Sequence, residues 1–153
     1  TMTKGAWCHY ETENGVDTTY GKLYNWYAVN DPRGLAPKGW HIPTSEEWKQ
    51  LGEALGGKEV AGRIMKSTDG WMENGNGTNE SGFDGSPGGL RSDKGIFSGK
   101  NYVGYWWTST KAMGAFAYYC WLVNSNNEFN YKHNISNNNG VGIIGISVRC
   151  VMD

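Results

Sequence analysis

The residues best suited to chemistry in this chain lie near its C-terminal end, where aromatic side chains alternate with asparagines. Asparagine occupies eight of the sixteen positions from 124 to 139. Asparagine is poor in strands and in helix interiors, so this tract is not there to build a core. Aromatic rings and amides on a surface offer stacking and adaptable hydrogen bonds, which is the chemistry of a recognition face. The tract therefore predicts binding rather than catalysis.

Eight residues are the candidates for ligand contact. Rings at three positions would stack on a sugar or anchor a protein, and amides at the other five would hydrogen-bond to the ligand. The eight are Trp121, Asn124, Asn126, Asn127, Asn130, Tyr131, His133 and Asn134. Two plainer interpretations stay open, with Trp121 as an ordinary strand residue and His133 as an ordinary surface histidine.

Length and composition predict a single domain over residues 1–153 with an aromatic-rich core. The 23 glycines indicate many tight turns, and eight tryptophans accompany a low hydrophobic fraction of 38%. A net charge of −1 without a basic stripe disfavours nucleic acid as a partner. No apolar run reaches the length of about 18 residues that a membrane-spanning helix needs, so membrane insertion is not expected.

Three cysteines give an odd count without a CxxC pair, which argues against a zinc ribbon. Cys120 lies between Tyr119 and Trp121 and is interpreted as a small buried hydrophobe. If the two ends of the chain lie side by side, Cys8 and Cys150 could form a disulfide. The sequence leaves that pairing open, because the bond requires a particular Cα separation.

The clearest local signal is a helix start at Thr44. Glu47, three residues later, completes a capping box, and apolar residues at 48, 51 and 55 form one stripe. A glycine pair at 56–57 supplies the stop. The sequence therefore predicts a helix over 45–55. A second, shorter helix is expected over 59–66, although Gly62 is unfavourable inside it.

Extended segments and loops are predicted elsewhere. Residues 21–29 are expected to form a short strand or extended segment, and 67–100 a long loop. The loop is expected to be pinned to the body by Phe83, Leu90, Ile96 and Phe97. Strands are expected over 104–109, 116–123, 128–132 and 142–151.

Trp106 and Trp107 are adjacent in a predicted strand, so their side chains must point to opposite faces. The favoured interpretation is that both are structural. The alternative is that one of them reaches the ligand side.

Five motifs in a fixed order carry a resemblance to a known family. They are residues 20–28 (YGKLYNWYA), 36–48 (APKGWHIPTSEEW), 78–83 with 87–89 (TNESGF and PGG), 104–110 (GYWWTST) and 147–151 (SVRCV). From about residue 20 to its end, the chain closely resembles the Fibrobacter succinogenes major paralogous domain. That family is similar to the formylglycine-generating enzyme branch of the C-type lectin-like proteins.

The resemblance implies an α+β, C-type lectin-like fold with N-terminal helices, long irregular loops and C-terminal antiparallel strands. It also implies that the first and last strands pair, and it assigns Trp40 and Trp48 to the core. It implies no activity by itself, because function lies in sites rather than in folds.

The C-terminal part bears a second resemblance, to proteins that retroelements diversify through adenine-directed mutagenesis. Those proteins use the lectin-like fold and collect asparagine, serine and tyrosine near the C-terminus. Residues 111–139 look similar in type and position, which implies a variable binding face.

Metal binding and catalysis receive less support. The acids Glu80, Asp84 and Asp93 are dispersed through the long loop, so no cofactor is predicted, while a structural calcium ion stays open. The histidines His9, His41 and His133 lie on three distant segments. No reactive cysteine pair, nucleophile elbow or phosphate loop is present, so the chain is not expected to be an enzyme.

The leading hypothesis is a non-catalytic ligand-binding domain that displays residues 111–139 to a protein or a surface glycan. The alternative is a structural or spacer domain of a surface protein. An enzyme of the formylglycine-generating type is less favoured. An extracellular location, or the surface of a cell or virion, is expected.

Overall fold

A computed structural model describes residues 4–111, 117–133 and 143–153. Short helices and antiparallel strands are mixed along this part of the chain, which confirms the predicted α+β class. The elements are β1 (Trp7–Thr12), β2 (Gly15–Tyr24), α1 (Trp26–Val29), β3 (Trp40–His41), α2 (Ser45–Ala54), α3 (Lys58–Met65), β4 (Gly88–Arg91), β5 (Phe97–Lys100), β6 (Val103–Lys111), β7 (Ala117–Val123), β8 (Asn130–His133) and β9 (Val151–Met152).

A three-stranded antiparallel sheet, β6–β7–β8, separates two hydrophobic cores. The strands predicted over 104–109, 116–123 and 128–132 correspond to it, with ends shifted by at most two residues. Trp106 and Trp107 point to opposite faces of this sheet, and both are buried. The interpretation that both are structural is confirmed.

Each tryptophan belongs to a different core. The Trp107 core consists of Trp26, Val29, Ile42, Trp107, Ala117, Ile144 and Ile146. The Trp106 core consists of Trp48, Ala61, Met65, Trp71, Trp106, Cys120, Leu122 and Phe129. Helices α2 and α3 therefore cover one face of the sheet, while α1 and residues near the C-terminus pack on the other.

Helix α2 begins where the capping box predicts. The Glu47 backbone N–H donates to Thr44 Oγ1, and the Thr44 backbone N–H donates to Glu47 Oε2 at 2.8 Å. Trp48 is buried in the Trp106 core, with Leu51 and Leu55 packed against it. The predicted apolar stripe is confirmed, and Trp48 is a core residue as expected.

Helix α3 contains Gly62 because its backbone touches another segment. A Cβ atom at this position would lie 2.5 Å from the Glu128 carbonyl oxygen and 2.6 Å from that of Asn127. Only glycine permits so close an approach. The residue that weakened the helix prediction is thus a packing requirement of the connection between β7 and β8.

The segment 67–100 is mostly irregular, as predicted, but it contains the β4–β5 hairpin. Phe83 packs edge-on against the rings of Trp48 and Trp106, and Leu90 packs against the Trp107 core. Phe97 contacts the Tyr10 ring at 5.0 Å between centroids. The expectation for Ile96 is wrong, since its side chain is exposed.

The N-terminal part differs from the prediction in two ways. Residues 26–29, expected to be extended, form helix α1, because the Asn25 side chain accepts a hydrogen bond from the Ala28 backbone N–H at 3.0 Å. This is an N-cap, which asparagine favours. The β1–β2 hairpin that precedes it was not predicted.

The predicted pairing of the first and last strands is wrong. Strand β1 pairs with its neighbour β2, while the last strand, β9, pairs with β3. A hairpin partner close in sequence satisfies β1 at a smaller loop-closure cost than a distant one. The expected strand 142–151 is also discontinuous where it is described, with isolated bridges at residues 145–147 before β9.

Trp40 is not a core residue, which corrects another expectation. Its side chain is 44% exposed on β3, a two-residue strand whose only partner in the described chain is β9. All three cysteines are free. Cys120 is buried in the Trp106 core, as predicted for a small hydrophobe, and burial raises the pKa of its thiol well above the ordinary value.

Candidate functional site

One face of the central sheet carries a row of half-buried aromatic rings. The strand register places Tyr105 of β6 opposite Trp121 of β7, and Trp121 opposite Asn130 of β8. Tyr119 lies two residues before Trp121 and shares its face, because side chains alternate along a strand. These four residues, Tyr105, Tyr119, Trp121 and Asn130, are called the aromatic face below.

Ring contacts fix the geometry of the aromatic face. The Tyr119 ring centroid lies 5.4 Å from that of Trp121 and 6.0 Å from that of Tyr105. Both separations fall in the range of favourable aromatic pairs. Tyr105 and Tyr119 also pack against the Trp107 core, and these contacts hold the row of rings in place. All four side chains remain partly accessible, and a platform held in place loses little side-chain entropy on binding.

The polar groups of the aromatic face are uncharged. Burial raises the pKa of the Tyr105 and Tyr119 hydroxyls, and Tyr119 raises that of Tyr105 further. Each hydroxyl therefore keeps its proton at neutral pH and can donate or accept a hydrogen bond. Together with the Asn130 amide, they border the ring surfaces with neutral hydrogen-bonding groups.

The structure divides the predicted contact residues between two faces. Trp121 and Asn130 belong to the aromatic face, whereas Tyr131 pairs with Cys120 on the opposite face. Tyr131 is 45% exposed there and contacts the Phe129 ring. Position 133 pairs with Tyr118 at the end of β8, and Asn134 lies outside the described residues.

The three remaining asparagines lie in the connection between β7 and β8. The Asn124 amide nitrogen donates to Glu73 Oε2 at 2.9 Å, and Asn126 Oδ1 accepts from the Glu128 backbone N–H at 2.9 Å. The Asn127 side chain is exposed. Two of these amides therefore have contacts within the chain, and a role for the three in binding stays a prediction.

Sequence reasoning missed Tyr105 and Tyr119 as members of the site. Tyr105 lies in one of the five family motifs, which does not indicate a role in binding. The signal that could have identified Tyr119 is its spacing of two residues from Trp121 within a predicted strand. Tyr105 could not be found in this way, since only the register between strands places it beside them.

A comparison with family models decides where this chain belongs. The model of the Fibrobacter succinogenes major domain matches residues 1–152. The chain belongs to the Fibrobacter succinogenes major domain family. The resemblance carried by the five motifs is thereby confirmed. Searches of curated proteins and of solved structures returned no match.

Acidic and metal-ligating side chains of this Fibrobacter succinogenes major domain are dispersed. In the described ranges, no three or more His, Cys, Asp and Glu side chains form a group that could hold a metal ion. In the long loop, the Asp84 backbone N–H donates to Asn79 Oδ1 at 2.7 Å. None of the helices described above is long and apolar enough to cross a membrane.

The His41 ring contacts two carboxylates, one through each nitrogen. Its Nδ1 lies 2.8 Å from Asp153 Oδ1 and its Nε2 lies 2.8 Å from Glu47 Oε1. Both carboxylates accept hydrogen bonds, so satisfying both requires the doubly protonated imidazolium. The hydrogen bond to Asp153, followed by that to Glu47, raises the pKa of His41 above its ordinary 6.5. The imidazolium thereby fastens the segment after β9 to the first turn of α2.

We expect the stabilising effect of His41 to be lost at high pH. A folded-state pKa above the unfolded one gives stability that is complete below the unfolded value and disappears as pH rises through the folded value. Relative to His41→Gln, the natural domain should melt higher by about one or two degrees near pH 5.5, and this gap should be smaller at about pH 8.5. The measurement is the thermal midpoint as a function of pH. His9→Gln is the control, because the His9 ring contacts the Gly21 carbonyl oxygen instead of a carboxylate. An equal gap at both pH values would contradict the assignment.

Proposed function

We propose that this chain is a non-catalytic ligand-binding domain whose aromatic face anchors a protein or surface-glycan ligand. The row of three adjoining, partly accessible rings beside Asn130 supports this proposal. Tryptophan and tyrosine dominate the energetic centres of binding sites, since they supply large contact area with few rotatable bonds. The neutral hydroxyls and amide at the edge of the rings would fix the orientation of the ligand.

We further propose that the domain has a C-type lectin-like fold and that residues 111–139 form a variable face diversified by a diversity-generating retroelement. Three of the four residues of the aromatic face fall in this range. An extracellular position, or the surface of a cell or virion, fits such a role. Sibling sequences should then differ chiefly at exposed positions of this range, with adenine-biased codon changes and a reverse transcriptase gene nearby. Uniform variation over the whole surface would contradict the proposal.

Trp121 should dominate ligand affinity. We expect Trp121→Ala to weaken binding about 30-fold, which corresponds to about 2 kcal/mol for a central aromatic anchor. Tyr131→Ala is the matched control, because Tyr131 is an accessible aromatic residue on the neighbouring strand but faces the other side of the sheet. It should change the affinity by less than about twofold.

The binding measurement needs a ligand, which a labelled sample of the domain can find on a glycan array and on a displayed library of surface proteins. Each hit is then titrated with the natural domain and both variants by biolayer interferometry. Equal losses for Trp121→Ala and Tyr131→Ala would contradict the aromatic face as the anchor. Thermal midpoints of the variants show whether a loss of binding reflects a loss of folding.

A structural or spacer domain is the second candidate. The internal hydrogen bonds of Asn124 and Asn126 favour it, because they give these asparagines a role in shaping a turn. Failure to capture any glycan or protein, together with uniform variation among siblings, would support the spacer. Thiol titration and metal analysis of the purified domain test the enzyme interpretation, which requires a reactive thiol or a bound metal.

A further inference from the structure

A cleft of about 440 Å³ opens beside the N-terminal hairpin, and none of the residues that line it belongs to the aromatic face. Five segments contribute to its walls: strands β1, β2 and β6, the long loop at Asp84 and Ser86, and residues 147–149 near the C-terminus. The side chains that matter for its chemistry are Lys22, Asp84, Ser86, Trp106, Ser147 and Arg149. Convergence of charged, hydroxyl and aromatic groups from separate segments is typical of a small-molecule site.

Two cations at this cleft are held in place without being neutralised. The Lys22 ammonium lies 3.7 Å from the centroid of the Trp7 ring, and the Arg149 guanidinium carbon lies 5.1 Å from that of Phe83. A ring face attracts a cation but leaves its net charge intact. Neither cation forms an ion pair with a carboxylate of the described chain. Both can therefore receive an anionic group.

Asp84 supplies a carboxylate, whose charge is opposite to that of the two cations. Its backbone has a φ of 54°, a conformation that is uncommon for a residue with a side chain. The hydrogen bond from its N–H to Asn79 Oδ1 helps to fix it. Its Oδ1 accepts a hydrogen bond from the Asn79 amide at 3.4 Å, and like the two cations the carboxylate forms no ion pair with the described residues. An ionised carboxylate accepts hydrogen bonds only, so its natural partner is a ligand hydroxyl or amine.

The charges at the cleft leave one positive charge unmatched, since Lys22 and Arg149 contribute two and Asp84 removes one. The hydroxyls of Ser86 and Ser147 add neutral donors and acceptors, and Trp106 adds an apolar surface at the edge of its core. We propose that this cleft is a second binding site, for an acidic sugar. The sugar carboxylate binds between Lys22 and Arg149, and ring hydroxyls donate to Asp84. The site is independent of the aromatic face and of its ligand.

Titration of the isotopically labelled domain with glucuronate, followed by nuclear magnetic resonance, tests the proposal directly. Glucose is the neutral counterpart and acetate the charged fragment. We expect glucuronate to shift the amide signals of residues 147–149 and 22 with saturation in the millimolar range. Glucose and acetate should each bind at least about tenfold more weakly, since each supplies only one half of the recognition.

Four variants test the cleft and separate a loss of binding from a loss of folding. Lys22→Gln and Arg149→Gln should each weaken glucuronate binding about tenfold, because each removes one charge-assisted hydrogen bond. Lys94→Gln, at an exposed lysine that does not line the cleft, should leave binding unchanged. Because Arg149 also packs on Phe83, Arg149→Lys provides a folded variant that keeps the charge, and it should bind more tightly than Arg149→Gln. Glucose or acetate binding as tightly as glucuronate would overturn the proposal, as would shifts confined to the aromatic face or unchanged affinity in Lys22→Gln and Arg149→Gln.

Discussion

Replacing Trp107 with alanine is expected to destabilise the domain by about 3–5 kcal/mol, the loss typical of a large aromatic removed from a packed core. Trp107 is fully buried, and its ring lies 5.6 Å from that of Trp26 between centroids. Its indole N–H also donates to the Tyr24 carbonyl oxygen at 2.7 Å. The substitution therefore opens a cavity and leaves that carbonyl without its side-chain donor, at the point where the end of β2 meets the central sheet.

Urea denaturation measures this loss, and Trp121→Ala is the matched control. Trp121 is a tryptophan on the same face of the same sheet, but it is partly exposed and lies outside both cores. Its removal should reduce the free energy of unfolding by about 2 kcal/mol or less, because part of its surface stays in contact with water and its loss opens no cavity in either core. Equal losses in the two variants would contradict the division between a structural tryptophan and a binding one.

The contrast between these tryptophans shows which parts of the fold a sequence specifies. The capping box at Thr44 and the adjacent tryptophans of β6 are local patterns, so α2 and the opposed orientation of Trp106 and Trp107 could be predicted. The exposure of Trp40 could not be predicted, because it depends on which residues cover a two-residue strand. Helix α1 was missed since the N-cap at Asn25 lies inside an apolar run that also suits a strand.

The candidate site was predictable in composition but not in arrangement. The sequence identified Trp121, Asn130 and Tyr131 as neighbours in a recognition tract. Register determines that the first two share a face while Tyr131 points away, and a shift of one residue would reverse this grouping. Tyr105 joins the site from a strand that is distant in sequence, which no local pattern reveals.

No sequence pattern indicates a role for Lys66, yet the structure gives its side chain a large effect on stability. Its side chain is 2% exposed, and its ammonium donates to the Val123 carbonyl oxygen at 3.2 Å and to that of Asn126 at 2.9 Å. Burial lowers the pKa of Lys66, and no carboxylate in the described ranges pairs with it. The two carbonyls compensate for the desolvation of the cation, and in return the lysine tethers the turn between β7 and β8.

We expect Lys66→Met to destabilise the domain by about 3 kcal/mol, because it removes two charge-assisted hydrogen bonds and leaves two carbonyl oxygens without their donor. Lys49→Met is the control. Lys49 is a helical lysine exposed to solvent whose contact with Glu53 is 3.9 Å long, so its replacement should change stability by less than about 0.5 kcal/mol. Urea denaturation gives both values, and amide exchange at residues 123–128 shows whether the turn opens first. A loss below about 1 kcal/mol for Lys66→Met would mean that water replaces the ammonium at both carbonyls, and that the other contacts of the turn, among them the packing of Gly62 and the Asn124 and Asn126 amides, hold it in place.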